Sequence, residues 1–412
     1  MAPEEVEDAG MMVEEQSEDK SLYEALVAAL TFLSQRSGQE DLLASVEQAQ
    51  QAEDFMYLMS LIANGYVAAL NAPVKEDDDE DVVSENFEGC IQVIVGVFRM
   101  VCNMETDLVV DIASGLCANE NLGDMRMRSL AFLYNSLPTA DSARRFKFLV
   151  MLIELSAKLQ EVDKLDSVFS RVPDYVKGYD LNVEDKRILY SRCSEALKST
   201  KALEKALEKA LDFNIQLLET YNGCPNEELD SVSDVAKSSV VDAIALPKLF
   251  KLDMLLEMSA VVRLKEQDNA NLYRLLEICV KDDLAVYKQF YAENGSFVDS
   301  LGLSNSSLTD KMRLLTFATL GNQSNELEYQ TIQTALDIPE EEVEEWVIRA
   351  ISSGLIVAKM NQVTRTVHVH RSTSRSFSAD QWQPLGPKCP FSLMGSTVPN
   401  HSDRFRYSRG RG

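Results

Sequence analysis

The chain has 412 residues, of which 26% are charged and 45% hydrophobic, and its formal net charge is −26. A chain of this length can bury a large core and build two or three domains. The acidic excess excludes binding of nucleic acid or of an anionic membrane by the protein as a whole, because like charges repel, but it permits a local basic patch.

The first 19 residues form an acidic leader. They contain few apolar residues and many carboxylates, so they cannot bury enough apolar surface to become ordered. We therefore expect residues 1–19 to be disordered. The acidic start also lacks the basic segment of a secretory signal, and the longest apolar run, Cys90 to Cys102, is too short to span a bilayer. These features predict a cytoplasmic protein.

From residue 20 onward the chain is a succession of helical patterns. Leu26, Leu30 and Leu33, for example, recur at the spacing of one helix face. Further helices are centred near Phe55–Leu70, Val93–Val101, Met125–Leu137, Ala143–Leu159, Asp185–Leu197, Leu203–Tyr221, Val240–Leu256 and Leu272–Phe290. Almost no strand signal precedes residue 355. Residues 20–300 are thus predicted to form a right-handed α-solenoid of helical repeats, in a mainly α fold.

Three helical patterns and two strand-like runs follow in residues 301–371. The first helix carries Lys311 and is predicted to stop at Gly321. The third is predicted to be capped by Asp337, with Glu340 completing a capping box, and to end at Gly354. Two β-rich runs separated by a polar turn then predict a hairpin. This order of elements is that of a winged helix with a small β-hairpin wing.

A winged helix most often suggests nucleic-acid recognition by its third helix. Here that helix begins with the acidic run 340–345, which would repel the phosphates that normally supply most of the affinity. We therefore interpret it as a module that docks other proteins. The apolar residues expected to carry this docking are Leu315, Trp346, Val347, Ile356, Val357, Val367 and Val369.

Residues 372–412 differ again in character. They are rich in Ser, Pro, Gly and Arg, and basic residues outnumber acidic ones. Such a composition predicts a disordered, low-complexity tail. Its Arg- and Tyr-containing end could touch RNA weakly.

Chemistry-bearing motifs are sparse. His368 and His370 resemble part of the zinc site of JAMM-type metalloproteases, but the acidic ligand would fall at Gln381, with Asp380 one position early. The seven cysteines are scattered without a CxxC pair, as is typical of buried free thiols in a reducing compartment. Phosphate-binding loops and nucleophile elbows are also missing from the sequence. We expect no catalytic residue, no metal and no cofactor.

Helical repeats that lead into a terminal winged helix resemble the PCI domain family, whose members occur in the proteasome lid, the COP-nine signalosome and translation initiation factor three. The residues that carry the resemblance are 311–317, 343–348, 363–369 and 381–383. It is strongest to the initiation factor members. After Trp382 the family continues into an amphipathic helix, whereas this chain has three prolines within 384–390, which cannot hold a helix.

The resemblance implies a non-catalytic scaffold subunit of translation initiation factor three. Such a subunit would support recruitment of the small ribosomal subunit, initiator tRNA and mRNA, and its partners would be other PCI and MPN subunits. Direct contact with nucleic acid or membrane is not implied. The alternatives are a PCI subunit of the proteasome lid or signalosome and, from another class, a winged-helix nucleic-acid binder.

Overall fold

A computed structural model describes residues 22–73, 78–200, 204–266 and 269–375. Within them the protein is mainly α-helical, and a small three-stranded antiparallel sheet lies near the C-terminal end. The predicted fold class of helical repeats followed by a winged helix is confirmed. The predicted disordered leader, Ala202 and Leu203 of one predicted helix, and the tail beyond Arg375 lie outside the described residues.

The chain divides into two compact units, Met1–Tyr221 and Asn222–Gly412. In its described residues, the first unit contains helices and no strand. In chain order these are α1 (22–37), α2 (Leu42–Gln51), α3 (Phe55–Asn71), α4 (Glu80–Cys102), α5 (Leu108–Leu116), α6 (Gly123–Ser136), α7 (Ser142–Lys158), α8 (Asp166–Ser170), α9 (Val172–Gly178), α10 (Val183–Ser199) and α11 (Glu204–Glu219).

Short polar side chains start several of these helices. Asp54 accepts a hydrogen bond from the amide of Tyr57 at 3.0 Å, and Asn182 accepts one from the amide of Asp185 at 2.7 Å. Each satisfies a backbone donor that the first turn leaves without a partner. The helices then pack on near neighbours in the chain: α2 on α3, α6 on α7 and α10 on α11. This is the local packing that helical repeats require.

Arg126 on α6 is the largest fully buried side chain of the described residues. Its guanidinium donates to the carbonyls of Leu70 at 2.8 Å, Gly115 at 3.0 Å and Leu116 at 3.1 Å. These carbonyls lie in the last turns of α3 and α5, where the helix leaves acceptors unpaired and carries partial negative charge. One buried cation therefore joins the ends of two helices to a third.

The described residues of the second unit form seven further α-helices before the first strand, and the winged helix follows them. The elements are α12 (Asn226–Ser231), α13 (Ser233–Ala245), α14 (Asp253–Glu257), α15 (Ser259–Arg263), α16 (Ala270–Lys281), α17 (Leu284–Ser300), α18 (Asn305–Gln323), β1 (Glu326–Glu328), α19 (Tyr329–Leu336), α20 (Val343–Ser352), β2 (Ile356–Asn361) and β3 (Thr366–Ser372).

Lys311 on α18 is buried at the C-terminal end of α13. Its ammonium donates to the carbonyls of Ala243 at 2.8 Å, Ile244 at 3.0 Å and Leu246 at 2.7 Å. Burial lowers the pKa of Lys311 to about 8. The three acceptors satisfy all three N–H donors of the ammonium, so the first helix of the winged helix is fixed to the helix pairs that precede it.

Arg375 makes a similar contact at the end of α16. Its guanidinium donates to the carbonyls of Cys279 at 2.6 Å and Asp282 at 2.6 Å. The sequence places Arg375 in the predicted disordered tail from residue 372, and this part of the prediction is wrong. Ser372 is the last residue of β3, and Arg375 is buried because the last turn of α16 supplies acceptors for its donors.

Two predicted helices are each split in the structure. The pattern over Val240–Leu256 ends as α13 at Ala245, because Pro247 cannot continue a helix, and α14 begins only at Asp253. The pattern over Leu272–Phe290 breaks between α16 and α17, where Asp283 is extended and caps α17 through the amide of Val286. The predicted stop at Gly321 is also wrong. Gly321 lies inside α18, and a Cβ there would come within 3.2 Å of Val369 on β3.

The predicted boundary between solenoid and winged helix, at residues 300/301, differs from the division into units. The helices after Asn222 group with the winged helix, because α13, α16 and α17 pack with α18 or with one another and receive Lys311 and Arg375. Periodicity along one chain does not reveal such long-range contacts.

Three cysteines, Cys90, Cys193 and Cys279, are buried free thiols, and Cys389 lies outside the described residues. None of the helices described is both long enough and apolar enough to cross a membrane.

Replacing Lys311 by Met should weaken the contact between α13 and α18. The variant removes three buried hydrogen bonds to backbone carbonyls, so we expect a loss of about 1–3 kcal/mol. Hydrogen exchange of the α13 and α18 amides, read as opening free energies, measures it. Lys251→Met, at an exposed position of the same unit, is the matched control and should leave these amides unchanged. Equal protection in both variants would contradict the role given to Lys311.

The buried thiol of Cys90 predicts a loss of stability at high pH. Burial raises its pKa to about 12 from an ordinary value of 9.0. The unfolded thiol ionises above pH 9 while the folded one stays protonated, so its contribution is complete below pH 9 and is lost as the pH rises toward 12. At pH 10 the loss is roughly 1 kcal/mol.

Urea unfolding at pH 8 and pH 10 tests this. Cys90→Ala should show a smaller loss between the two pH values than the wild type. Val83→Ala, which removes buried volume from the same helix but no ionisable group, should keep the wild-type difference. The same pH difference in both variants would contradict the assignment.

Candidate functional site

Six of the seven predicted docking residues lie in the interior of the second unit. Trp346, Val347, Ile356, Val367 and Val369 belong to the hydrophobic core of the winged helix, and Leu315 is fully buried on α18. A side chain buried within its own module has no surface to offer to a partner. These six are therefore reassigned from docking to the core, and only Val357, at 47% exposure, could contact another protein directly.

Trp346 on α20 contacts two arginines through its ring. The guanidinium carbon of Arg349 lies 4.8 Å from the ring centroid, and that of Arg313 lies 5.1 Å from it. Arg313 also donates to the carbonyl of Leu336 at 3.1 Å, and Arg349 pairs with Glu345 at 2.6 Å. Cation–π contact and ring burial act together, so Trp346 joins α20 to α18 and α19.

The sheet has the strand order β1-β3-β2, so β2 lies at an edge. Val357 and Lys359 on β2 are exposed, whereas the alternate residues Ile356, Ala358 and Met360 pack on or against the core. The register of β2 on β3 shifts between Val357 and Ala358. An edge strand presents backbone donors and acceptors on its outer side, which makes β2 the candidate docking edge.

The wing is tied to the first turn of the third helix. Arg365 in the wing turn forms an ion pair with Glu340, and the Gln362 amide donates to Glu344 at 2.9 Å. We call these two contacts the wing latch. Tyr329 donates to the other oxygen of Glu344 at 3.3 Å. The latch pairs Arg365, the basic residue of the wing turn, with the acidic start of the third helix. A nucleic-acid reader would present both to phosphate, so the geometry favours protein docking.

The predicted capping box at this helix is wrong. Asp337 has φ 49° and ends α19, where its carboxylate contacts Lys288. Pro339 is extended, and residues 340–342 form a 3₁₀ turn before α20 begins at Val343 without a side-chain cap. Pro339 prevents Ile338 from entering a helix, which separates Asp337 from the helix start. The predicted end at Gly354 is confirmed, with φ +73° and the amide of Leu355 bonded to the carbonyl of Ala350.

The two wing histidines lie on the outer face of the sheet, as alternation predicts. Both are exposed, and the Nε2 atom of His368 is 3.8 Å from a carboxylate oxygen of Glu326. Asp380 and Gln381 lie outside the described residues. Residues 22–375, with the gaps stated above, hold no group of three side chains that could bind a metal ion.

Two surface features were missed by sequence reasoning. The strand β1 is only three residues long and gives no periodic signal. Val363 in the wing turn is 94% exposed, yet the β-rich pattern assigns it to a strand. The alternation of side chains along β2 could have separated core residues from docking residues. It places Ile356 and Val357 on opposite faces of the sheet, so only one of the two can dock.

Replacing Trp346 by Ala should destabilise the winged helix by about 3–5 kcal/mol, because it empties a core position and removes the partner of two arginines. The measurement is hydrogen exchange of the α18, α20 and β3 amides. Ile348→Ala, an exposed position on the same helix, should change the opening free energy by less than about 0.5 kcal/mol. Unchanged exchange in Trp346→Ala would contradict the described packing.

Comparison with known proteins agrees with this architecture. The model of the PCI domain family matches residues 291–371, which contain the winged helix and the end of α17 that leads into it. The match begins ten residues before the boundary predicted from the sequence.

Three relatives show the similarity over most of the chain, and each is named eukaryotic translation initiation factor 3 subunit M. The protein of Dictyostelium discoideum is 28% identical over 388 residues, covering 92% of both chains. That of Nematostella vectensis is 30% identical over 303 residues, or 72% of this chain and 77% of the relative. That of Xenopus tropicalis is 30% identical over 318 residues, or 75% and 79%. The chain therefore belongs to the family of eukaryotic translation initiation factor 3 subunit M, and its C-terminal region is a PCI domain.

Proposed function

We propose that this chain is a non-catalytic scaffold subunit of translation initiation factor 3. The names of its relatives support membership of that complex. The observation that supports the mode of action is the latched winged helix, in which β2 is an edge strand among the described residues. Through the complex, the subunit would support recruitment of the small ribosomal subunit, initiator tRNA and mRNA in the cytoplasm.

The direct partners would be other PCI and MPN subunits. At the β2 edge a neighbouring subunit could add a strand, with main-chain hydrogen bonds for affinity and Val357 and Lys359 for specificity. The buried cations of this chain also differ from the charged residues of an enzyme active site. The buried lysine and arginines described above donate to backbone carbonyls at helix ends.

A nucleic-acid reader is the alternative from another class, and the wing latch argues against it. Arg365 is paired with Glu340, and Glu341 and Glu342 are exposed beside it. Phosphate would meet carboxylates at the place where a reading helix needs cations.

Affinity purification of the tagged full-length chain from a eukaryotic cell extract tests the proposal. We expect initiation factor 3 subunits to be recovered in fixed ratio with the chain. Recovery of proteasome lid or signalosome subunits in their place would contradict it, and so would salt-sensitive recovery of nucleic acid alone.

Val357→Asp should reduce recovery of these subunits about tenfold or more, because it places a charge in a contact that should be apolar. The fold should persist, since this side chain is half exposed. Val183→Asp, at a 50% exposed position on α10, is the control and should behave as the wild type. Full recovery with Val357→Asp would remove β2 from the proposed interface while leaving membership of the complex intact.

A further inference from the structure

Val363 stands at the tip of the wing with 94% of its surface exposed. The next most exposed large apolar side chain of the described residues is Met100, at 63%. A lone exposed apolar residue is ordinary on a protein surface. What distinguishes Val363 is that the turn that carries it is fixed in place.

The turn is fixed from within. The Oδ1 atom of Asn361 accepts hydrogen bonds from the amides of Val363 at 3.1 Å and Thr364 at 3.3 Å. The hydroxyls of Thr364 and Thr366 are 2.8 Å apart, and Arg365 takes a left-handed conformation with φ 49°. The wing latch then holds one side of the turn to Glu340, in the 3₁₀ turn before α20, and the other side to Glu344 on α20. A side chain presented in this way loses little conformational freedom when it is bound.

The surroundings of the tip are acidic. The latch brings the wing turn against the 3₁₀ turn 340–342 and the start of α20. Glu341 and Glu342 are exposed there, Glu344 is half-buried, and Arg365, the cation of the wing turn, is paired with Glu340. Glu328, on the strand next to β3, is exposed as well. Carboxylates around an apolar side chain are complementary to an apolar pocket that has lysines or arginines at its rim.

We propose that Val363 is an anchor that inserts into an apolar pocket with a basic rim on a neighbouring folded subunit. The inference rests on the proposed function, since it assumes assembly with other subunits, but it concerns a different contact from the β2 edge. Asn361 is a positioning residue for this anchor. The same carboxylates would repel RNA, because a phosphate backbone carries the same sign of charge.

The test uses the full-length chain with a photo-activated cross-linking residue at position 363, assembled with initiation factor 3 subunits and purified. We expect cross-links to one subunit, at a site that contains apolar residues and lysines or arginines. The same probe at position 183 should give no such product. Cross-links to ribosomal RNA, or scattered cross-links to many proteins, would overturn the proposal.

The strength of the contact is then measured as the affinity of this chain for the purified subunit that the cross-link identifies. Val363→Ser should weaken binding about tenfold, the value of one buried aliphatic side chain. Asn361→Ala should weaken it less, and should have little further effect in the presence of Val363→Ser, because both changes act on one contact. Val183→Ser is the control.

The outcomes separate this inference from the proposed function. If Val357→Asp lowers recovery of the complex and Val363→Ser leaves both recovery and affinity unchanged, the anchor is overturned and scaffold membership stands. If the wild-type chain recovers no initiation factor 3 subunits, the proposed function fails, and the anchor fails with it. Additive losses from Asn361→Ala and Val363→Ser would overturn the positioning role of Asn361.

Discussion

Buried cations at the ends of helices are the interaction on which this structure depends. Arg126, Lys311 and Arg375 each place their donors on carbonyls in the last turns of neighbouring helices. The helix ends gain partners for their carbonyls and a positive charge next to their partial negative charge. Because a buried cation without its acceptors is costly, each contact fixes the helices in one arrangement. In the second unit, two such contacts join the winged helix, which carries the proposed docking surface, to the helices that precede it.

The same winged helix explains why its function differs from that of a nucleic-acid reader. The contacts of Trp346 with Arg313 and Arg349 position α20 in the module, and the wing latch joins the wing turn to residues 340–344. The surface of the described module includes the backbone edge of β2 and the exposed tip at Val363. Both suit contact with a folded protein. Acidic residues next to the tip would favour a positively charged surface on the partner and would repel phosphate.

Local signals predicted much of this fold. The apolar stripe of α20, its stop at Gly354 and the two strands of the wing follow from residues near one another in the chain. The roles of Lys311 and Arg375 could not be predicted in this way, because their acceptors lie between 65 and 97 residues away. The docking residues were misassigned for a different reason: apolar residues at regular spacing mark the core, whereas a docking surface is formed by the residues that regular spacing leaves exposed.

Hydrogen exchange of the full-length chain, free and assembled with the other initiation factor 3 subunits, tests the central claim most directly. Assembly should protect the amides of β2 (Ile356–Asn361) and of the wing turn, since these form the proposed contact surface. The amides of α13, already held by Lys311, should exchange at the same rate in both states. Protection at the start of α20 on addition of RNA, with β2 and the wing turn unchanged in the assembled complex, would contradict it.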